Sequence, residues 1–222
     1  MLRFVSVIAI TLIPFAVVAP VHAQGGSETM LPADVDPESL SRLRALTRDD
    51  LAADDQAIWD LVNGANRPLT GPAAVSMHSP KVAEVFHLLN QYLRFQGILE
   101  PRDYEVAIMQ AAWEFEQAYE WSAHEGASRR LGIPDRVIDT IKFDRDPTGI
   151  GGKDELIIRF ARALLRDHEV SSDMYAAVVA EFGERGMVDM VTIIGDYIMV
   201  GMLMTAVDQH LPPNLTNTLP ER

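Results

Sequence analysis

The 222-residue sequence contains no cysteine. That absence removes disulfides, thiolate nucleophiles, cysteine-ligated zinc, iron–sulfur clusters and a lipid anchor on cysteine. The chain is also poor in basic residues: 19 Lys and Arg stand against 32 Asp and Glu, a formal net charge of −13. An acidic chain lacks the cations that neutralise nucleic-acid phosphates or hold a protein on anionic lipid. Sustained two-residue alternation of apolar and polar positions is missing, so no β-sheet is expected. Neither a His-x-x-x-His nor a clustered Asp/His motif points to a metal. Lys153 follows Gly149–Gly152 without the spacing or preceding strand of a phosphate loop, so no nucleotide cofactor is expected.

What remains is 48% hydrophobic and 23% charged, enough for one well-packed domain. Residues 1–23 read as an export signal: Arg3, an apolar run interrupted by Pro14 and Pro20, and Val21-His22-Ala23 before a cut at Gln24. The expected location is periplasmic or secreted, with no membrane association after cleavage. Residues 24–37 read as a flexible acidic leader, 38–212 as the folded domain and 213–222 as a loose tail.

Helical spacing of apolar residues is expected over Ser39–Ala45, Asp49–Asn63, Pro80–Gly97, Asp103–Arg130, Pro134–Ile141, Lys153–His168, Ser172–Phe182 and Met187–Asp208. The fold class is therefore all-α, a bundle of about seven or eight helices. The apolar segment 187–208 carries Asp189 and Asp196 seven residues apart, read as a solvated stripe. The same segment is the candidate subunit interface, because a long apolar surface is rarely left bare.

Chemistry concentrates in Pro101–His124, PRDYEVAIMQAAWEFEQAYEWSAH. Glu120 and His124 stand at i and i+4 and face each other on a helix. A carboxylate beside an imidazole orients the ring and favours its cation, a plausible general acid or base near neutral pH. Spacing alone also fits an ordinary surface pair. His87, in Phe86-His87-Leu88, reads as a core or interface histidine; His78 and His168 read as solvated.

Leu93-Arg94-Phe95, Leu99-x-Pro101-Arg102-Asp103-x-Glu105, Tyr119-Glu120-Trp121-x-x-His124, Gly132-Ile133-Pro134 and the late run Ile193-Ile194-Gly195-Asp196-Tyr197 together resemble the carboxymuconolactone decarboxylase and alkylhydroperoxidase-D-like (AhpD-like) family. The resemblance spans roughly residues 82–208 and implies an AhpD-like helical bundle. It implies Glu105, Glu120 and His124 as catalytic residues, with Arg94, Arg102, Tyr119 and Trp121 around a small-molecule substrate. In the hydroperoxidase branch a glutamate, a Cys-x-x-Cys pair and a histidine act together. Aligned on His124, the glutamate falls on Glu105 and the cysteines on Gln117 and Glu120, so both thiols are replaced. Thiol peroxidase chemistry needs a thiolate and is not expected here. The decarboxylase branch works with acid and base groups and no cofactor. It implies decarboxylation, isomerisation or lactone opening on a small lactone or carboxylic acid. A non-catalytic binding or structural role is the alternative. The family also implies a homo-oligomer, trimeric or hexameric.

One geometric condition follows. Glu105 and His124 are 19 residues apart, about 28 Å along one straight helix. They can share a site only if the helix breaks between them, yet residues 113–118 contain neither Gly nor Pro.

Overall fold

A computed structural model describes residues 31–64 and 69–221. Residues 1–30, read as an export signal and the first part of a leader, lie outside the described residues. Eight α-helices are present among them: α1 (Ala53–Asn63), α2 (Gly71–Ser76), α3 (Pro80–Phe95), α4 (Pro101–Glu114), α5 (Ala118–Arg130), α6 (Asp135–Lys142), α7 (Gly152–Arg162) and α8 (Ser172–Ala206). The only extended pairing among them is a single bridge between Asp36 and Ser41. The all-helical expectation holds.

The bundle is organised around α4. Every residue from Asp103 to Trp113 is buried. A helix apolar nearly all round belongs inside a core, and α5, α7 and α8 each pack against it. Ala107, Ala111 and Ala112 keep its surface low, so larger neighbours such as Trp121, Ile157, Phe160 and Ile193 fill the space between helices. A second cluster around Trp59 and Met77 joins α1 to α3, and a third links α2 to the end of α8.

The continuous helix expected over Asp103–Arg130 is broken. α4 ends at Glu114, and Glu116 takes a left-handed conformation at φ 54°. Gln117 then starts α5 as its N-cap, its side-chain oxygen accepting the Tyr119 N–H at 2.9 Å. Glutamate is an unusual residue at positive φ, so the turn depends on packing and capping. The chain folds back, and α5 lies along α4.

Three other local expectations are corrected. Ser39–Ala45 is a turn and bend, not a helix. Asp36 Oδ1 accepts the N–H groups of Glu38 and Ser39, and the hydroxyls of Ser39 and Ser41 bond the local backbone, which competes with helix formation. The adjoining residues 31–37, read as flexible leader, include the buried Val35. The tail is pinned: the Thr218 hydroxyl donates to Glu125, Trp121 Nε1 donates to that hydroxyl at 3.1 Å, and Leu219 packs on the main core.

α8 bends where the sequence stop at Phe182-Gly183 was expected. Gly183 has φ 72° and ψ 170°, a conformation essentially reserved for glycine. Among the described residues α8 is the one helix long and apolar enough to cross a membrane by length and composition, and half of its most apolar window is buried. Asp189 and Asp196 are not a solvated stripe; both are buried. Asp189 accepts from the Ile98 N–H and the Tyr92 hydroxyl, tying the α3–α4 turn to α8. The surface stripe of this arm is instead uncharged: Val188, Val191, Gly195, Met199 and Met202.

Gln117 makes the α4–α5 break and also donates to Thr205 Oγ1 on α8 at 3.3 Å. Gln117→Ala is expected to lower unfolding stability by about 1–2 kcal/mol, the cost of a lost cap. Urea denaturation checks this; an unchanged midpoint would mean that packing alone holds the reversal.

Candidate active site

The reversal brings α5 alongside α4, so His124 meets Glu105. His124 Nδ1 and Glu105 Oε2 are 2.7 Å apart, both side chains buried. Arg94, reaching in from α3, places one amino nitrogen 3.3 Å from the other oxygen of Glu105. Three helices thus contribute a cation, a carboxylate and an imidazole to one buried contact. The carboxylate only accepts, so Nδ1 carries the proton, and Nε2 faces Glu120.

Glu120 Oε2 lies 3.6 Å from His124 Nε2, beyond hydrogen-bond length, and Glu120 Oε1 has no partner among the described residues. Burial pushes the Glu120 carboxyl above the usual range; the neighbouring His124 and Arg94 oppose that shift, while Asp196 and Glu105 add to it. The Glu120 carboxyl thus holds a proton more readily than an exposed carboxyl does. Tyr197 closes the far side, its ring edge-on to His124 with centroids 4.9 Å apart. Burial raises the Tyr197 hydroxyl too, so it stays protonated.

These groups open onto a cavity of about 320 Å³. One wall is α3, with Ala83, Phe86, His87, Asn90 and Arg94; the opposite wall is α5, with Tyr119, Glu120, Ala123 and His124. α2 and Val200 of α8 supply apolar surface. Gly71, at φ 57°, begins α2 directly against the Tyr119 ring, where a Cβ would collide with it. Tyr119 is thereby held in the wall, near Thr70.

Most of the residues implied by the resemblance converge. Glu105, Glu120, His124 and Arg94 meet, and Tyr119 lines the cavity. Two do not. Arg102 points the other way along α4 and pairs with Asp154 of α7. Arg102 sits in the first turn of α4, where its long side chain is drawn to the buried carboxylate of Asp154 instead of the cavity. Trp121 is fully buried in the core, its indole N–H directed to Thr218 and Glu125, and does not reach the cavity. His87 was assigned to the core or an interface; it is half-buried and lines the cavity. Asn90 and Tyr197 were not singled out from the sequence. The signal for Asn90 was present: His87, Asn90 and Arg94 recur at i, i+3 and i+7, one face of a helix. Among the described residues no three His, Asp or Glu side chains are grouped to hold a metal ion.

Behind the cavity wall, Asn90 donates to Asp196 Oδ2 at 3.4 Å, and Asp196 Oδ1 has no partner among the described residues. Burial lifts the Asp196 carboxyl from 3.8 to about 6, with the Asn90 bond opposing. A carboxyl raised on folding binds its proton more tightly in the folded state. Its contribution is therefore neutral below the unfolded value, destabilising as pH rises between the two, and constant above about 6. Asp196→Asn should leave stability unchanged near pH 4 and raise it by roughly 1–3 kcal/mol above pH 7. Thermal melts of both proteins across pH check this; equal gains at both ends would show that Asp196 does not titrate in this window.

No family model and no curated protein matches the sequence. Two solved structures are similar in fold. One is described as an alkylhydroperoxidase AhpD core, an uncharacterized peroxidase-related protein from Ralstonia eutropha JMP134: TM-score 0.62, 18% identity, covering 78% of this chain and 93% of that one. The other is an uncharacterized peroxidase-related protein from Silicibacter sp. TM1040: TM-score 0.65, 14% identity, covering 80% and 94%. This chain shares the AhpD-like helical fold, and it does so without a cysteine.

Proposed function

We propose that this protein is a cofactor-independent acid–base enzyme acting on a small lactone or carboxylic acid. The observation that carries the reading is the 2.7 Å contact between buried Glu105 and His124 Nδ1, which leaves Nε2 directed to Glu120 at the cavity wall. Glu105 fixes the ring's orientation and tautomer, and Arg94 balances the charge of Glu105. His124 and Glu120 then hold one mobile proton between them. In a decarboxylation, the bond to the departing carboxylate breaks, carbon dioxide leaves, and the electron pair delocalises into a conjugated carbonyl. The imidazolium delivers a proton to the carbon. In an isomerisation the same pair removes a proton at one carbon and returns it at another. Arg94 lines the cavity and supplies a guanidinium for the substrate's carboxylate.

His124→Ala is expected to lower turnover by about 100- to 10,000-fold on whichever acid or lactone is processed, with Glu105→Gln falling between. The assay is NMR-detected conversion or deuterium incorporation across a panel of unsaturated lactones and carboxylic acids. If His124→Ala turns over a processed compound at the wild-type rate, the acid–base reading is wrong. If the wild-type protein binds members of the panel and converts none, the site is a binding site.

We further propose that copies of the chain associate through α8. A chain of net charge −13 repels its own copies over most of its surface, whereas the stripe from Val188 to Met202 is exposed and uncharged. Light scattering should show an oligomer at micromolar concentration, and Met199→Glu combined with Met202→Glu should reduce it to the monomer. A monomeric wild-type protein would remove the proposal.

A further inference from the structure

The cavity has a polar stripe of which the acid–base site uses only one end. On α3, His87, Asn90 and Arg94 project into the same space, while the surface between them is apolar, from Ala83, Phe86 and the α2 residues Pro72 and Ala73. Arg94 is at the Glu105–His124 end, with one nitrogen taken by Glu105 and its Nε unpaired. Asn90 is turned to Asp196. His87 is half-buried and forms no hydrogen bond or ion pair among the described residues. Its ring nitrogens are open to the cavity and not buried, so an acceptor on a ligand can take the place of water there. Seven residues separate His87 from Arg94, a rise of about 10 Å along the helix. That distance exceeds the reach of a single carboxylate and matches a short chain with a polar group at each end.

We propose that His87 is the second anchor of the cavity's ligand: an elongated small carboxylate whose acid group meets Arg94 beside His124, and whose far end offers another hydrogen-bond acceptor to His87. The placement of the reacting end rests on the acid–base reading above; the anchor at His87 does not. Ligands of the same length without a distal acceptor leave His87 unpaired, so His87 selects for the second polar end. It touches the substrate away from the reacting atoms.

Hexanoate and adipate serve as probes, equal in carbon number and differing only in the distal carboxylate. Calorimetric titration of the wild-type protein should show adipate binding about fivefold more tightly, the effect of one net hydrogen bond. His87→Leu should reduce that preference to less than about twofold while leaving hexanoate affinity intact, and His87→Gln, which keeps a donor, should restore part of it. In the wild-type protein the His87 ring resonances should move on titration with adipate and not with hexanoate, a readout that requires no variant. Equal affinities for the two acids, a preference that survives in His87→Leu, ring resonances indifferent to adipate, or no binding of either acid would each overturn the anchor. Because none of these readouts involves turnover, failure of the anchor is separable from failure of the acid–base reading. The latter fails through His124→Ala while adipate selectivity can remain.

Discussion

A carboxylate in the middle of a protein core must be compensated or it does not stay there. Glu105 lies on α4, the most deeply buried helix, with 1% of its surface exposed. Leaving such a charge unpaired would cost several kcal/mol. Arg94 from α3 and His124 from α5 provide the compensation, so one electrostatic requirement links α3, α4 and α5. The cavity lies between α3 and α5. Its walls are held at their separation by the same contact that orients the imidazole.

The reversal between α4 and α5 serves this contact. Glu116 adopts a left-handed conformation that its side chain disfavours, and Gln117 offsets part of that cost by capping α5 and reaching to α8. Farther along α5, Glu125 gathers the Trp121 indole, Arg129 and the tail hydroxyl of Thr218. The helix that carries His124 is therefore secured at its start by α8 and along its outer side by the tail. Catalytic geometry is set to fractions of an ångström, and supports of this kind give a site its rigidity.

The comparison with peroxidase-related structures separates scaffold from chemistry. The helical arrangement is shared, while this chain has no cysteine thiol. A fold hosts a function only through the groups placed on it. Here those groups are two carboxylates, an imidazole and a guanidinium around a largely apolar cavity.

Much of this was legible along the chain. Apolar periodicity and the absence of alternation specify an all-helical bundle. Gly183 marks its bend locally, because only glycine accepts that backbone conformation. The i, i+4 spacing puts Glu120 next to His124 wherever the helix lies. The remaining features depend on contacts between distant segments. No residue near Phe115 announces a break, and the periodicity on either side runs on as if α4 and α5 were one helix. The reversal arises because α5 gains more by packing back on α4 than by continuing into solvent. Sequence neighbours likewise could not say that Arg102 faces α7, that Trp121 faces the tail, or that Asp189 and Asp196 turn inward. A helix pattern gives relative angles around its axis, and only the packing of other helices decides which angle is buried. The sequence by itself determined the all-helical class and the absence of cysteine thiol chemistry, which are properties of composition and local spacing. Tertiary structure alone decided which charges meet, because Glu105, Arg94 and His124 come from three helices and share a site only once those helices are packed.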